Sequence, residues 1–245
     1  MRCLLSTLLC ATWLASAHAA TPDLVAPFST ASPGTAVPPG WRHTEIRGAP
    51  RPTHYALVAE DGRTVIKAEA DGSASALVHT VAATHATLHW QWKVSRVLTG
   101  SNPYTREGDD YAARVYVTFD YPLDRLPLVE RLKLRAARTF FDPDVPTAAL
   151  CYVWDARLPA GTTFPSPYTP RVRVIVVDSG AEYVGRWRAV DRDLDADFRT
   201  AFGEPAPPVT GVAIAADTDN TRERATAWFG DIVLKKRAVN APPPR

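Results

Sequence analysis

The sequence predicts an all-β fold: an antiparallel two-sheet β-sandwich, jelly-roll-like, with one or two short inserted helices. Three observations predict it. From Thr53 onward, short apolar runs alternate with period two and are separated by turn residues. Proline is abundant, 22 residues against 13 glycines, and proline breaks helix interiors. The recurring crossover helices of a parallel α/β fold are missing. The chain has 245 residues, 46% apolar and 22% charged, enough for one domain or at most two around a full core. That composition excludes a disordered chain. Lys and Arg total 28 against 26 Asp and Glu, which gives no general pull toward nucleic acid or an acidic membrane.

The elements follow in order. Residues 1–19 read as a signal peptide, so a periplasmic or secreted location is expected. Arg2 supplies the positive start, residues 3–15 an apolar stretch, and Ala17-His18-Ala19 the small-x-small cleavage pattern. The apolar stretch is too short to span a bilayer, and no other long apolar run is present, so no transmembrane segment is expected. Cys3 and Cys10 leave with the signal, so Cys151 has no intramolecular disulfide partner. It reads as a small buried hydrophobe in a strand. Residues 20–52 form an extended, Pro-rich lead-in with a turn and aromatic anchor at Pro38-Pro39-Gly40-Trp41. Residues 53–236 form the sandwich. Its expected strands are 55–59, 64–70, 74–81, 87–94, 111–119, 149–154, 171–177, 209–216 and 227–234. Asp61-Gly62 and Asp71-Gly72 mark tight turns between the first three. Residues 126–137 predict an amphipathic helix, with Pro127 in its first turn, Glu130 near that end and basic residues toward the other. This helix is either a lid on one end of the sandwich or, over 126–138, a membrane-surface or partner contact. A second short helix is expected at 195–202, ended by Gly203, and 237–245 is a disordered tail.

The chemistry-bearing motifs are few. Glycine-rich nucleotide loops, a GxSxG elbow and HExxH are all missing. His85 and His89 have a zinc spacing only on a helix; on a strand four residues span roughly 13 Å. Their expected place is at exposed or edge positions. Trp90, Trp92 and Val94 share one strand face and read as core. Asp109 and Asp110 precede a strand whose Val115, Val117 and Phe119 point inward. Arg114, Tyr116 and Thr118 point the other way, toward a polar groove on the wet face. Arg114 there calls for a ligand or a carboxylate such as Asp110. Asp217-Thr218-Asp219-Asn220-Thr221 clusters oxygen atoms, suited to calcium or to an Asx-rich turn. The EF-hand pattern fails, because Arg222 and Trp228 occupy its Gly and Glu positions. Asp231, mid-strand among apolar neighbours, needs a cation, an Arg or amides, and is a weak metal candidate. The candidate ligand-binding set is therefore Asp109, Asp110, Arg114, Tyr116, Trp154, Asp217, Asp219 and Asn220. Structural calcium is the one cofactor in view.

Several motifs recur together and in order: Trp90-x-Trp92-Lys93, Gly108-Asp109-Asp110, Arg114-Val115-Tyr116-Val117, Tyr152-Val153-Trp154, Asp217-Thr218-Asp219-Asn220-Thr221 and Gly230-Asp231-Ile232. As a set they resemble a bacterial exported family described only as a domain of unknown function. The resemblance covers roughly residues 28–234. It implies a periplasmic or secreted protein and brings no established activity. More loosely, Phe229-Gly230-Asp231-Ile232 is similar to the closing strand of jelly-roll carbohydrate-binding modules. In some of those, the resemblance implies, the corresponding Asp holds a structural calcium. The early acidic partner of that pattern is matched only by Asp23.

Three functions fit this reading. The first is a binding module presenting Arg114, Tyr116 and Trp154 or Trp187 to a glycan or small ligand. The second is a glycan hydrolase or lyase working through the Asp109/Asp110 and Asp217/Asp219 carboxylates, which needs separations of roughly 5 to 9 Å. The third is a structural envelope protein docking through 126–138. Binding is favoured, since no nucleophile–base pair, metal-ligand set or cofactor loop marks a catalytic residue.

Overall fold

The computed structural model describes residues 25–34, 37–140 and 146–236. The expected signal peptide, the first residues of the lead-in and the tail lie outside the described residues. A 3-10 turn at Phe28–Thr30 is the first element among the described residues. The strands are β1 (Trp41–Glu45), β2 (His54–Glu60), β3 (Arg63–Asp71), β4 (Ser75–Ala83), β5 (Ala86–Val94) and β6 (Tyr111–Phe119). Helix α1 (Leu128–Phe140) follows, then β7 (Ala148–Asp155), β8 (Thr163–Pro165), β9 (Val172–Ser179) and β10 (Arg188–Asp193). Helix α2 (Leu194–Phe202) leads to β11 (Val209–Asp217), β12 (Arg224–Phe229) and β13 (Val233–Lys236).

Two sheets face each other. One has seven strands in the order β1-β4-β11-β6-β7-β9-β8; the other has six in total, β10-β5-β12-β3-β2 with β13 also on β5. Alternation supplies each sheet with an apolar face, and burying both faces together makes the core. Val115, Val117, Leu150 and Val212 come from the larger sheet, and Leu88, Trp90, Trp92 and Phe229 from the smaller; all are fully buried. Trp90 meets Tyr152 at 5.3 Å and Trp92 meets Trp154 at 6.0 Å between ring centroids, bridging the sheets.

The structure corrects several expectations. The sheets are not antiparallel throughout, because β7 and β9 pair in parallel. The long connection over 156–171 carries the chain back to the starting end, which a hairpin cannot do. Asp61-Gly62 closes a true hairpin, with φ of 47° and 78° and Glu60 opposite Arg63. Asp71-Gly72 instead passes the chain between sheets, since β3 pairs with β2 and β12 while β4 pairs with β1 and β11. The lead-in contains a strand, β1. The strand expected at 227–234 is interrupted by Gly230-Asp231-Ile232, so Asp231 lies in a gap between β12 and β13. Helix α2 is capped by the Asp193 carboxylate, which accepts from the Asp195 and Ala196 amides, and it ends at Gly203 with φ 78°. Among the described residues, no helix is long and apolar enough to cross a membrane.

Candidate functional site: a polar cluster on the outer face of the larger sheet

A bulge builds the site. Opposite β11, Arg114 pairs with Ala215 and Tyr111 with Asp217, so three steps on β6 face two on β11. The extra residue lets both Ala112 and Ala113 join the inter-sheet core. Tyr111 is thereby turned to the outer face, where the Arg114 guanidinium lies 4.5 Å from its ring centroid. Strict alternation from Val115 would have sent Tyr111 inward.

Arg114 gathers the acidic groups. Its Nε donates to Asp217 Oδ1 at 2.7 Å, and its Nη2 donates to Asp217 Oδ2 and to the Asp109 carbonyl. Its Nη1 donates to Asp109 Oδ2 at 3.3 Å and to the Tyr116 hydroxyl at 3.2 Å. Asp110 is not its partner, contrary to the sequence expectation. That carboxylate instead accepts from the Asn220 side-chain amide at 3.0 Å and the Thr221 backbone N–H at 2.6 Å. Asp110 thus anchors the turn after β11 to the start of β6. Gly108 lets the loop before β6 close on itself: a Cβ there would sit 2.6 Å from the Asn102 backbone nitrogen, which donates to the Gly108 carbonyl.

Four carboxylates cluster near one guanidinium that bonds only Asp109 and Asp217 among them, and electrostatics reflects this. Burial pushes the Asp217 carboxyl up to about 7, against the pull of Arg114 and with the charges of Asp110 and Asp109 adding to the rise. Asp219 is raised by burial and then by Asp110. Asp110, Asp217 and Asp219 each offer an oxygen within 4.8 Å of the others, a spacing compatible with a divalent cation. Behind them Cys151 is sealed, and burial pushes its thiol up to about 12, which makes it unreactive at neutral pH.

The expectation that Arg114 stands on a wet face is corrected: it is 4% exposed. It does lie on the outer side of its sheet. Two loops cover it there. Leu158, from the connection after β7, and Phe164, on edge strand β8, pack with Tyr111, Val153, Val174 and Val176 on this face. Arg106 Nε donates to the Pro167 carbonyl and Tyr168 donates to the Arg106 carbonyl, each at 3.2 Å, tying the two loops together.

The structure thus brings Asp109, Asp110, Arg114, Tyr116, Asp217, Asp219 and Asn220 into one cluster. Trp154 is not part of it. It faces the inter-sheet core at 2% exposure, its indole N–H donating to the Gly180 carbonyl at 3.0 Å. Asp231 is remote as well: its carboxylate accepts from the Ser29 backbone N–H at 2.9 Å and from the Ser29 hydroxyl at 2.5 Å. His89 and His85 contact separate carboxylates, Asp191 and Asp195. Trp187 lies on the outer face of the smaller sheet, where Lys93 sits 5.1 Å from its ring and 4.8 Å from that of Trp228. A cavity of 220 Å³ lies on that sheet, lined by Arg63, His89, Gln91 and Asp231 among others. Arg63 there donates to Gln91 at 2.6 Å.

Two residues that sequence reasoning missed frame the cluster. Tyr104 is 61% exposed and Tyr168 52% exposed. Tyr168 is close enough to the cluster that Asn220, Asp109 and Asp219 all act on its phenol, which burial raises. Tyr104 packs on Phe164 at 5.3 Å between centroids. A signal existed: the tripeptide Pro-Tyr-Thr occurs at 103–105 and again at 167–169, once in each covering loop.

These features define a β-sandwich protein with a loop-covered polar cluster on one outer sheet face, rimmed by exposed tyrosines. The chain belongs to the DUF3047 family, proteins of unknown function, whose model matches residues 39–233. No curated protein matches it. Several solved structures are similar to it at low identity. The K2 cleaved adhesin domain of Lys-gingipain has 12% identity and a TM-score of 0.42, covering 87% of this chain and 99% of that one. The xyloglucanase domain of the effector NopAA from Sinorhizobium fredii has 8% identity and a TM-score of 0.43, covering 84% and 97%. The family 11 xylanase from Neocallimastix patriciarum has 10% identity and a TM-score of 0.35, covering 83% and 94%.

Proposed function

We propose that this protein is a periplasmic or secreted binding module that takes a glycan at the Tyr104/Tyr168 rim of the Arg114 cluster. The observation that carries the reading is the placing of two exposed tyrosines beside hydrogen-bonding groups. Leaving large rings in water forgoes burial, and a sugar offers an apolar face to stack on them. Asp219 and Asn220, both half-buried, supply an acceptor and an amide for hydroxyls at the same rim. The buried part of the cluster, Arg114 with Asp109 and Asp217, holds that rim in place rather than touching ligand.

The same geometry favours binding over hydrolysis. Arg114 occupies two of the four carboxylates and backbone and side-chain amides occupy Asp110. A free acid–base pair astride a glycosidic bond is not formed by what remains. The test is a glycan array followed by calorimetric titration of the best ligand. Tyr168→Ala and Tyr104→Ala should each weaken binding roughly three- to tenfold while leaving the circular dichroism spectrum unchanged. Binding untouched by either change, or no glycan bound at all, overturns the proposal.

A further inference from the structure

Helix α1 carries an apolar face that the fold does not use. Leu128, Val129 and Leu132 are 64%, 62% and 54% exposed. They are three of the seven large hydrophobic side chains exposed among the described residues. Successive helix residues turn by about 100°, so the three fall within a single arc of about 100°. Ala136, also exposed, lies in the same arc. Leu134 points nearly the opposite way and packs against the core, with buried Leu126 just before the helix. The helix is therefore seated by one side and offers the other outward.

The charges flanking that arc are cationic. Lys133 borders it on one side and Arg135 on the other, both exposed; the exposed Asp124 and Arg125 before the helix cancel in charge. Glu130 lies outside the arc, nearer the Leu134 side. We infer that α1 docks this protein onto an anionic lipid surface, lying in the interface with Leu128, Val129 and Leu132 among the acyl chains. Lysine and arginine stems beside such an arc reach up to headgroup phosphates while their alkyl parts stay in the apolar layer. Among the described side chains the arc is purely aliphatic, and the cations beside it complement an anionic lipid surface.

The experiment is co-sedimentation of the full chain with phosphatidylcholine vesicles, with and without phosphatidylglycerol. The comparison is with a Leu128→Ser/Leu132→Ser double variant and with Lys133→Gln. All substituted positions are exposed, and unchanged melting temperatures will verify folding. The N-terminal apolar stretch is the same in every chain, so differences report on α1. Wild type should favour the anionic vesicles, and the double variant should bind them at least roughly tenfold less. Lys133→Gln should give a smaller loss that added salt mimics. Equal binding by wild type and double variant overturns the inference, as does equal binding to neutral and anionic vesicles. Sedimentation velocity covers the remaining occupant. Self-association that the double variant abolishes, without vesicle binding, assigns the face to a second copy and overturns the lipid reading.

Discussion

Burial acts on Asp217 more strongly than its guanidinium partner does, and this sets a pH dependence. Its folded value of about 7 lies above the ordinary carboxylate value of 3.8. The folded state therefore holds a proton that the unfolded state has released, and folding is favoured on the acid side of the window. This stabilisation is fully present below the unfolded value and is lost as pH rises toward 7. Asp219 shifts in the same direction and adds to the trend. The slope from Asp217 is at most about 1.4 kcal/mol per pH unit. Urea denaturation at pH 5 and pH 8 should show higher stability at pH 5, and Asp217→Asn should flatten the difference. An unchanged slope in that variant would show that Asp217 does not titrate in the window. The residue set around Asp217 was readable from the sequence, because acidic residues at strand ends and an Arg mid-strand need one another. Its burial was not readable. The bulge that turns Tyr111 outward and the packing of the two loops tied at Arg106 and Tyr168 are tertiary events with no local pattern. Trp154 was misplaced for a simpler reason: its strand is buried on both faces, so alternation gives no direction.

At the scale of elements, legibility followed position in the sheet. The nine expected strands all exist in some form, and those in sheet interiors were found nearly to their ends. The three unexpected strands, β1, β8 and β10, are all sheet edges. Each has a single buried residue, Trp41, Phe164 or Val190, so there is no alternation to detect. Edge strands keep polar residues because an apolar edge invites pairing with other chains. The gap between β12 and β13 has a use that periodicity hides. It frees Asp231 to hold the Phe28–Thr30 turn, and Phe28 is fully buried against Trp41 at 5.0 Å between centroids. Asp231→Ala should remove both bonds to Ser29 and cost roughly 1–3 kcal/mol. Limited proteolysis should then cut within residues 25–34 faster than in wild type. Unaltered cleavage there would show that Phe28 alone holds the turn.

At the scale of the molecule, the two-sheet body followed from nine short alternating strands without crossover helices, and the Trp90/Trp92 face is buried by the second layer. Which strand joins which sheet did not follow, because Asp71-Gly72 reads like a hairpin turn while joining the two layers. The layers are held by an aromatic column whose members differ in one respect. The Trp92 indole N–H donates to Asp178 at 2.7 Å, while the Trp90 indole nitrogen is buried without a partner. Both side chains are fully buried, so Trp→Phe removes the same volume at each position. At Trp90 it also removes an unsatisfied donor. At Trp92 it leaves one oxygen of buried Asp178 without its donor, the other still bonded to Arg188 at 2.9 Å. An orphaned buried acceptor is costly, so Trp92→Phe should destabilise the sandwich by roughly 1–3 kcal/mol more than Trp90→Phe. Urea denaturation followed by far-ultraviolet circular dichroism measures both variants without relying on the indoles removed. Equal losses would mean that apolar contact alone joins the sheets and that the Trp92–Asp178 bond adds nothing across the layer.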